Sequence, residues 1–219
     1  MIKRFAAALM LLAVLAVGVA ACGSDDSTSS TSSDTPPEPV AAIDSLDGVA
    51  TTVSLDQGFV DALGKLGLTP GTVGDASLKG TDISFPITGG NVTYYDPAES
   101  YRPYVQGEID HAGSGLSLTA GKTTVELTDF VIDPGTSELT GTVTANGKVA
   151  AEDAVLFDLD GSTLNPLEVD KAAGTATLQG TTVELSQDAA DLLNQTFKTD
   201  ALAGGFVIGI SSIEVSPVG

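Results

Sequence analysis

The sequence predicts a mainly β protein, an antiparallel β-sandwich with two short helices. Two observations carry that prediction. Short runs rich in Val, Ile, Thr and Phe follow one another, separated by Gly, Asn, Asp and Pro, which is the punctuation of a sandwich or barrel. Only Asp56–Leu66 and Ser186–Phe197 space their apolar residues at helical rather than strand intervals.

The elements follow in order. Strands are expected over Val49–Leu55, Asp82–Ile87, Asn91–Tyr95, Tyr104–Asp110, Gly115–Thr119, Thr123–Ile132 and Glu138–Ala145. Further strands are expected over Lys148–Phe157, Thr175–Gln179, Thr181–Leu185 and Phe206–Val215. Asn146-Gly147 suits the positive φ values of a type I′ hairpin turn, and Gly89-Gly90 reads as another turn. Asp133-Pro134-Gly135 fits a turn with proline at its second position. In Thr123–Ile132 the apolar set moves from Val125 and Leu127 to Phe130 and Ile132. That change of parity predicts a bulge near Thr128–Asp129.

In the first helix Phe59, Leu63 and Leu66 share a face and Asp56 caps the first turn; in the second, Ala189, Leu193 and Phe197 do so behind Ser186. The two stretches are alike at an offset of 130 residues. Thr52-Val53-Ser54-Leu55-Asp56-Gln57 is echoed by Thr182-Val183-Glu184-Leu185-Ser186-Gln187. Convergence on a strand, cap and helix start explains the echo, as does a pseudo-symmetric fold with a helix at each end of the sandwich.

Residues 1–21 read as a secretory signal: Lys3 and Arg4, an apolar core from Phe5 to Val17, then small residues. The stretch to Ala21 is short for crossing ~30 Å of hydrocarbon. Val19-Ala20-Ala21-Cys22 resembles the lipobox of bacterial lipoproteins, which implies that Cys22, the only cysteine, is acylated and becomes the mature N-terminus. Residues 22–48 then form a tether. Gly23 to Pro39, GSDDSTSSTSSDTPPEP, is too poor in apolar side chains to offset the entropy of ordering. A single domain is expected from Val49 to Gly219, outside the membrane and held there by lipid.

Composition removes several functions. Without Lys3 and Arg4, nine basic residues fall to seven against 29 acidic ones, a formal charge of −22. That field repels nucleic acid and anionic lipid head groups. With Cys22 acylated, no thiol remains for disulfides, thiolate metal sites or nucleophilic catalysis. His111 is the only histidine; Ser114 lies three residues away in a glycine-rich turn, which is no nucleophile–base pair. Asp158-Leu159-Asp160-Gly161 lacks the ligand spacing of a calcium loop. No enzyme is expected.

One cluster stands out. All four tyrosines, Tyr94, Tyr95, Tyr101 and Tyr104, fall just ahead of His111. A tyrosine phenolate ligates ferric haem in some proteins, and a neighbouring imidazole can support it by hydrogen bonding. Tyrosines are equally at home in half-buried strands.

Phe85-Pro86-Ile87-Thr88-Gly89-Gly90, then Gly107 to Leu116 with His111 inside it, then Val125–Asp133 and Leu139–Val143, resemble a group of actinobacterial secreted proteins. These are distantly similar to the HtaA domain of corynebacterial haem uptake. Leu156-Phe157-Asp158-Leu159 and Ala189–Phe197 continue the resemblance. It implies an exported β-sandwich that works by binding, with haem as the possible cofactor. The family's tyrosine ligand sits in the first helical segment, where this chain has Gln57-Gly58-Phe59-Val60-Asp61-Ala62 and no tyrosine. His111 matches the family's histidine by position. Either the ligand has been lost, or a non-equivalent tyrosine, Tyr104 or Tyr101, supplies it beside His111. The alternative to a haem-binding domain is a structural or protein-interaction module of the cell envelope.

Overall fold

A computed structural model describes residues 36–47 and 49–217. Cys22, the signal segment and most of the tether lie outside the described residues. The strands are β1 (Ala41–Ile43), β2 (Leu46–Asp47), β3 (Ala50–Leu55), β4 (Thr69–Gly74), β5 (Ser77–Lys79), β6 (Asp82–Pro86) and β7 (Gly89–Tyr94). There follow β8 (Val105–Ala120), β9 (Thr123–Asp133), β10 (Glu138–Ala145), β11 (Lys148–Asp160), β12 (Glu168–Asp170), β13 (Thr175–Leu185) and β14 (Phe206–Pro217). Helix α1 (Gln57–Leu66) follows β3, and α2 (Gln187–Phe197) follows β13.

The strands form one antiparallel sheet in the order β1-β7-β8-β9-β10-β11-β13-β14-β3-β6-β5. β2 hydrogen-bonds to β14 and also packs against β7, so the sheet curls until its two halves face one another. The mainly β reading with two helices is what the molecule shows. Every residue of the buried core lies between Leu46 and Val215, so this stretch carries its own core.

Local chemistry accounts for most boundaries. Asn146 and Gly147 take φ values of 52° and 76°, and the hairpin closes with Ala145 opposite Lys148. The Asp133 carboxylate accepts from the Gly135 N–H at 2.7 Å, which fixes the turn between β9 and β10. The bulge lies at Asp129, whose φ is 55°, and the β9–β10 register shifts between Thr140 and Thr142. The Asp56 side chain accepts from the Gly58 N–H and Ser186 Oγ from the Ala189 N–H, each as a helix cap.

Four expectations need correction. The tether does not run to residue 48: Ala41–Ile43 pair with Val92–Tyr94, and Leu46 is buried in the core. Gly89-Gly90 is no turn but the start of β7. There Gly90, at φ 112°, lets the Glu108 carbonyl approach to a distance a Cβ would block. His111–Ser114 is no surface turn either, because β8 runs unbroken through it. The register shifts between His111 and Gly115, and the Asp129 carboxylate accepts from the Gly113 N–H at 2.9 Å to hold the bulge.

The fourth correction concerns the helices. β3 and β13 flank β14 on either side and both run antiparallel to it, with Leu55 opposite Gly209 and Leu185 opposite Phe206. α1 and α2 therefore start from the same end of the sheet, not from opposite ends. The 130-residue echo extends to side chains: Gln57 donates to Asp61 at 2.8 Å, and Gln187 to Asp191 at 2.8 Å.

Candidate functional site

The two ends of the curled sheet differ. At the helix end Phe85, Phe130 and Phe157 pack edge to face, with Phe85 and Phe130 centroids 5.2 Å apart, and His111 lies 6.5 Å from Phe85. Only a void of about 30 Å³ is left among them. At the other end the sheet halves enclose a cavity of about 670 Å³. Its walls are small or aliphatic: Val53 from β3, Val92 from β7, Ile109 from β8, Leu139 from β10, Leu178 from β13 and Ile213 from β14. A volume of this size suits a small-molecule ligand.

Three loops line the outer part of this cavity. One is Tyr95–Tyr104. Arg102 organises it by donating from Nη1 to the carbonyls of Glu99 (2.6 Å) and Tyr101 (2.7 Å), and from Nη2 to that of Pro97 (2.9 Å). Its guanidinium also lies 5.4 Å from the centre of the Tyr104 ring. Tyr104 stands edge-on to Tyr94, centroids 6.0 Å apart, and both rings line the cavity. The turn at Pro134–Gly135 is the second loop. The third runs from Gly161 to Leu167, seated by Thr163 Oγ1 donating to the Gly180 carbonyl at 2.6 Å. Gly180 is at φ 105° inside β13, where a Cβ would meet the Thr163 carbonyl.

Of the residues singled out from sequence, Tyr104 lines the cavity. Tyr101 instead packs on Tyr95, with centroids 4.7 Å apart. Tyr94 is held above the ordinary phenol range by burial first, then by the neighbouring Tyr104 and Asp96. His111 is 1% exposed and does not line the cavity. Its Nδ1 lies 3.3 Å from the Phe130 carbonyl, which can only accept, so Nδ1 carries the proton. Nε2 therefore accepts from the Thr51 hydroxyl at 2.8 Å. Burial lowers its pKa to about 4, so the ring is neutral at ordinary pH. Thr51 joins the two ends, since it touches both the His111 void and the large cavity. The structure thus brings Tyr104 and Tyr94 together and leaves His111 one side chain removed.

The carboxylates near the cavity have local tasks. Asp160 accepts from both the backbone N–H and the hydroxyl of Ser162, which hold its carboxyl below the usual range. Among the described residues no group of three His, Cys, Asp or Glu side chains is placed to hold a metal ion. Sequence reasoning missed the cavity itself. Its trace was the run of small residues on inward positions of adjacent strands: Thr51 and Val53, Ala176 and Thr181, Ser211.

No protein-family model matches this chain, and no curated protein matches its sequence. Solved structures do. The C-terminal domain of HtaA from Corynebacterium glutamicum is similar over 80% of this chain and 97% of that domain, with a TM-score of 0.53 at 15% identity. The haem-binding protein HtaB from the same organism is similar over 80% of this chain and 96% of its own, with a TM-score of 0.50 at 10% identity. The chain shares their fold. At these identities the likeness concerns the path of the backbone, and the residues of the cavity have to be judged on their own chemistry.

Proposed function

We propose that this chain is an exported, non-enzymatic binding protein, held at the outer face of the membrane by an acylated Cys22, and that haem is the ligand of its cavity. The observation that carries this reading is the 670 Å³ apolar cavity with the Tyr104 and Tyr94 rings in its wall. The shared fold with HtaB, itself described as haem-binding, supports it.

The residues present fit such a guest. A flat, largely apolar macrocycle is received by aliphatic walls, and bound haem supplies an iron that a tyrosine phenolate can ligate. Tyr104 is the residue for that task, because its ring lines the cavity, edge-on to Tyr94 and beside the Arg102 guanidinium. Tyr94, held neutral by burial, braces Tyr104 edge-on. Tyr101 shapes the loop through Tyr95. His111 acts at one remove, through Thr51.

Hemin titrated into the domain of residues 36–219 is expected to give a saturable Soret band. Tyr104→Phe should shift that band and weaken binding, while Tyr101→Phe should leave it in place. No spectral change even at high micromolar hemin would leave the structural-module reading instead. The anchor is tested separately: mass spectrometry of membrane-extracted protein should find a diacylglyceryl group on Cys22, and a Cys22→Ser chain should leave the membrane fraction.

A further inference from the structure

The inner end of the large cavity is not aliphatic. Ser211 on β14 lies opposite Val53 of β3 on one side and Thr181 of β13 on the other. Residues directly opposite one another share a face of the sheet, and all three line the cavity. Ser211 is 5% exposed, yet neither its hydroxyl nor that of Thr181 is bonded to any of the described residues. The Ser211 oxygen is not sealed off among protein atoms, so what surface it retains faces the cavity. Thr51, two residues from Val53 on the same face of β3, adds a third hydroxyl. Its proton is committed to His111 Nε2, which leaves the oxygen's lone pairs to accept.

Buried hydroxyls are normally hydrogen-bonded, and an unsatisfied one in apolar surroundings is unfavourable until something supplies a partner. Here the open side of each hydroxyl is the cavity. Charge narrows the partner. Among the residues lining this cavity the one charged side chain is Arg102, which is exposed and lies on the outer loop. A carboxylate or ammonium at the inner end would be desolvated with no counter-charge. A neutral oxygen would not.

We infer that Ser211, Thr181 and Thr51 form a hydrogen-bonding subsite at the inner end of the cavity, for the uncharged hydroxyl or carbonyl end of an elongated apolar molecule. The walls take the hydrocarbon body and the floor takes the oxygen. This rests on the cavity being the binding site and not on haem being its guest. Ser211 has an acceptor and a donor to offer, as has Thr181, whereas Thr51 accepts only. Alcohols and ketones are therefore both received, and the matching alkane leaves the floor unsatisfied.

The test uses decan-1-ol, decan-2-one and decane as probes, each displacing 1-anilinonaphthalene-8-sulfonate from the domain of residues 36–219. The readout is the ratio of alkane to alcohol dissociation constants in the native domain, divided by the same ratio in a Ser211→Ala, Thr181→Val double variant. Differences in hydrophobicity between probes cancel in that quotient. One lost hydrogen bond of about 1.4 kcal/mol corresponds to a quotient of about ten. Ser211→Thr, which keeps a hydroxyl, should restore most of the preference, and thermal melts confirm that each variant is folded. A quotient of one with both probes bound would overturn the subsite while leaving the cavity as a binding site. Failure of all three probes to bind would overturn it as well. Failure of hemin alone, with the quotient near ten, would remove haem and leave the subsite standing.

Discussion

The two ends of the curled sheet are built from the same strands, yet one is filled and the other is open. At the helix end the inward positions carry Phe85, Phe130, Phe157 and His111, and about 30 Å³ remains. At the loop end β3, β13 and β14 carry the smaller Thr51, Val53, Ala176, Thr181 and Ser211, and about 670 Å³ remains. Side-chain volume at alternate positions is what separates a core from a site. The sheet itself is indifferent, because it is stabilised by its hydrogen bonds and by the packed end. The open end is then free to hold a guest.

The largest expected effect lies at the filled end. Phe130→Ala removes a ring that touches both Phe85 and Phe157 and should lower stability by about 3–5 kcal/mol, read from denaturant unfolding. Ile213→Ala, at the open end, should lose clearly less, because part of that side chain already faces empty space. Equal losses would mean that the cavity collapses in solution.

Next comes pH. The folded His111 pKa is lowered to about 4 against an ordinary value of 6.5, so between these values the unfolded chain binds a proton that the folded chain refuses. The stability His111 contributes is full above about pH 6.5 and is lost progressively as pH falls to about 4. The total is about 3 kcal/mol. Urea unfolding at pH 7.5 and 4.5 should show this loss over and above that of a His111→Gln variant, whose remaining slope reports the carboxylates. Parallel slopes would place the imidazole in contact with water.

A smaller contrast comes from adding volume. Val125→Leu, where Val125 is 0% exposed, should strain the packed end by about 1–3 kcal/mol. Val53→Leu should stay within about 1 kcal/mol, since the extra methylene enters the cavity. Weaker guest binding should accompany it.

The smallest effect separates the two helix units. Ser186 is buried, caps α2 and donates to the Val155 carbonyl at 2.6 Å, so Ser186→Ala should lower stability by about 1–2 kcal/mol. Asp56 caps α1 from an exposed position, and Asp56→Ala should have about half that effect or less, read from thermal melts. The echo in sequence is therefore equal in form and unequal in energy.

Much of the fold was legible because its signals are local. The hairpin at Asn146-Gly147, the caps at Asp56 and Ser186 and the bulge at Asp129 each depend on a few consecutive residues. The short strands were not legible. β1, β2 and β5 have two or three residues each and exist because a neighbouring strand is there to pair with them. His111 shows the same limit. Gly113 and Gly115 beside it read as a turn, but in the sheet they form a bulge in a continuous strand.

By itself the sequence determined the strand-rich architecture, the two capped helices and the clustering of tyrosines ahead of the one histidine. Those properties follow from period, turn chemistry and order along the chain. Only the tertiary structure decided that Tyr104 lines a cavity while His111 is sealed beneath Thr51, and that Ser211 of β14 and Thr181 of β13 lie opposite one another. Sheet curl and cross-strand register bring together residues far apart in the chain, and a void is defined by the atoms of many strands at once. No stretch of sequence carries that information alone.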